Sequence, residues 1–196
     1  MVQTLRFTRR HLPHWEVEHG RYFVTVRCED SLPKEAVLRL KELAESIRSI
    51  EPNSEQFAGL QREAFRTAEK YLDAGYGSCP LALAGAAELI QSEFSALADW
   101  QVAVPHYTIM PNHWHALIAP EPNCPHALSA IMKRVKGRSA KSLRRLMGGQ
   151  GPVWQREWFD RWIRSEAGWE KCVAYIRNNP VKAGLVQTWQ QHPWTR

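Results

Sequence analysis

His113 and His115 flank a tryptophan in the run 107–120, YTIMPNHWHALIAP. The run has the β-branched and aromatic character of a strand. A strand alternates its side chains, so the two histidines share one face and Trp114 points to the other. Two imidazoles at that spacing can hold one metal ion while the indole anchors the strand in a core. They can equally be two surface histidines, and the rest of the chain must decide. Tyr175 and Asn179, in YIRNNP at 175–180, are four apart and lie on one face of a helix. A tyrosine hydroxyl can attack phosphorus and keep the product as a phosphodiester when the developing charge is stabilised. With a reference pKa of about 10, it needs that help. Asn179 can place an amide oxygen beside a metal held by the histidines. Asn178 is its neighbour, and the four-residue relation to Tyr175 favours Asn179. Lys171, one turn before Tyr175, reads as a solvated lysine, although a lysine there can lower the phenol pKa.

A third pattern is electrostatic. Between Glu121 and Glu157 there is no acidic residue, whereas Lys133, Arg134, Lys136, Arg138, Lys141, Arg144 and Arg145 are all basic. A solvated helix face normally mixes its signs, so this run reads as a track for phosphates. Such contacts position a nucleic-acid backbone without reading its bases.

The elements that must carry these groups follow from periodicity. Residues 21–28 alternate Tyr22, Val24 and Val26 against Phe23, Thr25 and Arg27, as a buried strand does. Ser31 caps, and Pro33 opens, a predicted helix with the stripe Leu40, Leu43, Ala44, Ile47. A second helix carries Phe57, Leu60, Ala64, Phe65, Ala68, Tyr71 and Leu72, and a third spans 81–97. Strands are predicted at 101–109 and 113–119 around a Pro111-Asn112 turn. A long helix follows at 125–147, then a strand or hairpin at 153–163. A last helix at 166–179 should stop at Pro180, which cannot continue it comfortably. The order predicts an α+β fold: a ferredoxin-like antiparallel sheet with helices on one face. One domain over 1–196 is expected, with an acidic helical insertion at about 31–99 after the first strand.

The net charge of +6 is unevenly spread. Residues 1–28 carry five basic and two acidic groups, residues 29–99 seven and thirteen, and residues 100–196 fourteen and five. The basic C-terminal half implies a polyanion partner. The acidic block repels phosphate, which argues against its lying under nucleic acid. No apolar span reaches 18 residues, so no membrane partner is expected. The start of the chain lacks a signal peptide's apolar middle. Four scattered cysteines without a C-x-x-C pair suit neither a zinc knuckle nor a disulfide framework and fit a reducing cytoplasm. Trp154, Trp158, Trp162 and Trp169 are assigned mainly to packing, with stacking on unpaired bases as their other use. His106 and His126 are isolated and read as surface or capping residues. Arg9, Arg10 and His11 form a basic arm that can touch nucleotides.

MPNHWHALI followed some sixty residues later by YIRNNPVKAGLV resembles the HUH single-tyrosine transposases, and most nearly the REP-associated tyrosine transposases. The likeness extends to the strand at 21–27, to KRVKGRSAKSLRR, to VWQREWFDRWIR and to the closing WQQHPWTR. It implies that His113, His115 and Asn179 are metal ligands for Mg²⁺ or Mn²⁺ and that Tyr175 is the nucleophile. It also implies single-stranded or hairpin DNA as the partner, cut near palindromic repeats. A 5′-phosphotyrosine link and a free 3′-hydroxyl would result. Either a monomer or a homodimer is compatible with it, since some relatives exchange the tyrosine helix between subunits. The alternative is a domesticated, non-catalytic module that binds single-stranded nucleic acid; a metal hydrolase using water is a further rival. The acidic helical block occupies a place where relatives usually have one helix.

Overall fold

The computed structural model describes residues 4–9, 13–52, 54–149 and 151–196. The chain opens with a hairpin, β1 (Thr4–Arg9) and β2 (Pro13–Val17), that the sequence pattern does not announce. Arg10 and His11 of the expected basic arm lie outside the described residues. Next come β3 (Arg21–Arg27), α1 (Lys34–Arg48), α2 (Glu55–Asp73) and α3 (Ala86–Ser95). β4 (Val102–Ala103), β5 (Tyr107–Met110) and β6 (His113–Pro120) follow. α4 (Leu128–Leu146), β7 (Phe159–Ile163) and α5 (Glu166–Lys182) complete the order.

The expected α+β class with an antiparallel sheet is what forms. β6 pairs β3, and β3 pairs β7, while β4 and β5 both lie against β6; every pairing is antiparallel. The predicted strand at 101–109 is divided in two around Pro105, which has no N–H to give to a ladder. The helices stand on both faces of the sheet, which corrects the expectation of one. The physical reason lies in the two central strands: the middle of β3 and the first six residues of β6 are buried throughout. Each face therefore needs a cover. On one, Val24, Val26, Trp114, Ala116 and Ile118 join α3 and α4 in the main core. On the other, Phe23, Leu117 and Ile163 pack against Cys172, Val173 and Ile176 of α5.

The acidic block divides the same way. α3 is embedded in the main core through Ala86, Ala87, Ile90 and Phe94. α1 and α2 pack on one another and, through Phe65, over the second face. Their ends differ from expectation in one respect. Ser54 caps α2 by accepting from Phe57 N at 3.1 Å. Ser31, however, donates to Cys28 O at 2.7 Å, and Pro33 takes the cap position of α1. Pro180 does not end α5, which runs on to Lys182. A proline in the last turn forfeits one backbone bond, and the stop is left to Gly184, whose φ of 70° is the left-handed conformation glycine adopts readily.

The N-terminal hairpin docks on β7 through a buried polar contact. His14 Nδ1 donates to the Asp160 carboxylate, and its Nε2 lies 3.1 Å from Glu157 Oε2. Burial lowers the His14 pKa, but Asp160 and Glu157 outweigh it and raise the value to about 9. A histidine whose folded pKa exceeds its unfolded one stabilises fully below about 6.5, and that contribution disappears as pH rises through the folded value. Between pH 6.5 and 9.5 this contribution, on the order of 3 kcal/mol, should therefore be lost. Denaturant titrations across that window check this: the His14→Gln variant should lose clearly less stability than the wild type between pH 6.5 and 9.5, and an equal decline in the two would refute the assignment.

Candidate metal and nucleophile site

The register of β3 against β6 builds the site. Arg27 faces His113, Thr25 faces His115 and Phe23 faces Leu117. Alternation sends all six to one face and Trp114 to the other, where it is fully buried and meets Phe94 edge-on at 5.0 Å. α2 and α5 close over the histidine face, and His113 and His115 are also fully buried.

The two rings are held from behind. Asn112 Nδ2 donates to Tyr76 O at 2.9 Å, which turns its Oδ1 toward His113. That oxygen accepts from His113 Nδ1 at 2.7 Å, so His113 Nε2 carries a lone pair. His115 Nδ1 is 2.7 Å from the Thr25 hydroxyl, which can donate or accept. Thr25 therefore supports either tautomer of His115 as its Nε2 changes role. The two Nε2 atoms are 3.1 Å apart. Two donors bound at about 2.1 Å stand about 3.0 Å apart at a right angle and about 3.4 Å apart at a tetrahedral one. The pair has the spacing of two ligands of one ion. Burial pushes the His113 pKa down to about 3, with Asn179 opposing, and His115 well below its ordinary value. Both rings are thus neutral, as ligation requires.

A third group arrives from α2. Glu69 is buried, its Oε2 lies 3.7 Å from His115 Nε2, and its potential ligand atoms fall within 4.8 Å of those of the two histidines. The Tyr175 hydroxyl donates to the same Oε2, and the Tyr175 and His115 ring centroids are 5.3 Å apart. Burial and then Asp73 push the Glu69 carboxyl up to about 8, with Lys182 opposing. Lys182 itself bonds Asp73 Oδ2 at 2.6 Å, tying α5 to α2 beside the site.

Of the residues singled out from sequence, His113, His115, Tyr175 and Asn179 are brought together. Asn179 is buried against His113, whereas Asn178 is exposed. Both side-chain atoms of Asn179 and Glu69 Oε1 are buried without hydrogen-bond partners. Buried polar atoms are rarely left so, and orphaned oxygens beside two neutral imidazoles suit a cation. Lys171 is exposed. The basic row of α4 is not brought to the site; it lies across the sheet from the histidines. Part of it is also relieved by acids from elsewhere in the chain. Arg138 pairs with Glu93 at 2.9 Å, Arg134 stacks on Trp100 near Asp99, and Lys136 Nζ donates to the carbonyls of Gln155 and Arg156. Lys133, Lys141, Arg144 and Arg145 are exposed.

Sequence reasoning missed Glu69, Asn112 and Thr25. Glu69 carries a signal: it is the one acid inside the stripe Phe65, Ala68, Leu72, a place where an unpaired carboxylate is costly. Asn112 reads only as a turn residue, and Thr25 only as part of a strand.

Residues 86–179 match the family model "Transposase IS200 like". A protein of Haemophilus influenzae, itself uncharacterized, is 31% identical over 100 residues, covering 41% of this chain and 56% of its own. The chain thus spans little more than half the length of that relative. Among solved structures, a REP-associated tyrosine transposase bound to a REP hairpin aligns with a TM-score of 0.58 over 93% of this chain and 79% of its own, at 15% identity. That likeness is one of fold. The family match includes His113, His115, Tyr175 and Asn179 and stops short of α1 and α2, where Glu69 resides.

The second layer around the rings is directly testable. Asn112→Ala should weaken Mn²⁺ binding by about 10–100-fold, the usual effect of losing an orienting partner. Asn179→Ala should weaken it too, while Asn178→Ala should not. Titration of free Mn²⁺ by paramagnetic resonance reads all three, and equal binding across the set would refute the arrangement.

Proposed function

From the match of residues 86–179 to the IS200-like transposase family, we propose that the chain is a member of it and a divalent-metal-dependent endonuclease and strand transferase of single-stranded DNA. The observation that carries this reading is the meeting of the Tyr175 hydroxyl, the Glu69 carboxylate and the paired Nε2 atoms of His113 and His115 on one closed face. A binding module has no need of that set.

The chemistry follows from these contacts. Tyr175 Oη attacks the phosphorus as the bond to the 3′-oxygen breaks, which yields a 5′-phosphotyrosine and a 3′-hydroxyl. Glu69 Oε2, already accepting the phenol's hydrogen bond, takes its proton. The departing 3′-oxygen needs a proton, and the one that Glu69 has taken from the phenol is placed to supply it. When the 3′-hydroxyl of a strand attacks the phosphotyrosine, the steps reverse, so rejoining needs no external energy source. His113 and His115 would hold the ion through Nε2, with Asn179 Oδ1 and Glu69 Oε1 beside them. A bound divalent ion supplies polarisation of a non-bridging phosphate oxygen and offsets the charge gathering there. Nitrogen and oxygen donors suit Mn²⁺, and Mg²⁺ is the hard alternative.

For the substrate, a palindromic-repeat hairpin is supported by the sequence likeness and by the REP hairpin held by the solved relative. Lys133, Lys141, Arg144 and Arg145 would contact its backbone from the far face of the sheet. Tyr175 reaches Glu69 within one chain, which supports action as a monomer with the nucleophile in cis.

Labelled hairpin DNA with single-stranded flanks, incubated with Mg²⁺ or Mn²⁺, should give an SDS-resistant adduct that Tyr175→Phe abolishes. Glu69→Gln should slow adduct formation by about 100-fold or more, the range for a lost proton acceptor. His113→Ala should stop cleavage yet keep much of the hairpin affinity, because phosphate contacts dominate binding. Cleavage surviving in Tyr175→Phe would mean a hydrolase using water, and tight binding without an adduct would mean a non-catalytic module.

A further inference from the structure

Under the α1–α2 pair lies a cavity of about 270 Å³. Thr25 and Arg27, on the histidine face of β3, line one side. Val37, Leu40 and Phe65 line the helix side, and the segment 155–159 completes the wall. Glu69 also lines it, so the cavity adjoins the place where Tyr175 and His115 meet. Its volume is near the lower end for small-ligand sites, about 300 Å³.

Arg27 is the side chain this space must account for. It faces His113 across the strand pair, and such directly opposed Cβ atoms are about 5 Å apart. Burial lowers its pKa to about 10, with Glu29 opposing, so it is charged at neutral pH. Its hydrogen bond is a long one, 3.5 Å, to the neutral Ser31 hydroxyl, and no carboxylate pairs with it among the described residues. A half-buried guanidinium that faces the cavity with so weak a partner is free to take an anion there. Lys41 and Arg156 line the same cavity. The two acids that share it are engaged: Glu69 with Tyr175 and Glu157 with His14. Glu35, Glu42, Glu45 and Glu63 of the helix pair are on the outer surface. The inner wall is apolar and the floor cationic, which matches a flat base joined to a phosphate.

We propose that this cavity is a nucleotide subsite, in which one base adjoining the scissile phosphate enters between α1–α2 and β3 while Arg27 holds that nucleotide's phosphate. The proposal rests on the strand-transfer reading for its substrate and gives α1 and α2 a role as a substrate wall.

The test uses the ¹⁵N-labelled full chain titrated with 5′-dTMP, thymidine and the hexamer dT₆. Wild type should show amide shifts at Thr25, Leu40 and Phe65, and should bind dTMP more tightly than thymidine. Arg27→Gln should erase that preference, weakening dTMP roughly tenfold, as loss of one charge-assisted contact does. Leu40→Trp, which fills the space from a half-buried helix position, should weaken all three ligands; Val37→Phe serves if that variant does not fold. Shifts confined to α4, or unchanged dTMP affinity in Arg27→Gln and the filled variant, would overturn the subsite. Adduct formation is followed in parallel. An adduct without cavity shifts overturns the subsite and leaves strand transfer standing, whereas cavity shifts without an adduct support the subsite and count against strand transfer.

Discussion

The pairing of β6 with β3 in one fixed register is the constraint on which everything else in the molecule depends. Six consecutive residue pairs, from Tyr22 with Ile118 to Arg27 with His113, run without a bulge. Trp114 anchors that register from behind, because its indole is buried among α3, α4 and Val26 on the main-core face. Burying it forces His113 and His115 out the other side. A slip of one residue would exchange the faces, placing two imidazoles in an apolar core and the indole at the site. The site's geometry is therefore a consequence of hydrophobic packing on the far side of the sheet.

The histidine face is then closed by two helices that are far apart in sequence. α2 contributes Phe65 and Glu69, and α5 contributes Tyr175, Ile176 and Asn179. Aromatic contacts among Phe23, Phe65 and Tyr175 and the Lys182–Asp73 ion pair hold them together. Between them the protein buries a carboxyl, two imidazoles and an amide with several atoms unmatched. Packing alone would favour apolar residues there. Such local violations of the rules for a stable core are where function is expected to sit.

Much of this was legible in the chain. The alternation around Trp114 is a property of any strand, and the four-residue spacing of Tyr175 and Asn179 is a property of any helix, so those side chains could be placed before their partners were known. The α+β class followed from the same periodicities. The second helical layer was less visible, because one-sided and two-sided burial differ only in the residues between the apolar ones, and Thr25, Arg27, His113 and His115 are polar on a face that is nonetheless covered. Arg138 looked unpaired because its acid, Glu93, is 45 residues away in the chain. Pro180 looked like a helix end because local rules cannot weigh one lost backbone bond against the packing of α5. Glu69 and Asn112 became functional candidates only through contacts that no short window contains.

The central claim is that Tyr175 becomes covalently joined to DNA at a site organised by His113, His115 and Glu69. Its most direct measurement is peptide mass mapping after incubation with hairpin DNA and Mn²⁺, followed by nuclease trimming and proteolysis. The account predicts a peptide spanning Tyr175 that carries a nucleotide through a tyrosyl phosphodiester. A modified residue elsewhere, or cleaved DNA bearing a free 5′-phosphate with every tyrosine unmodified, would contradict it.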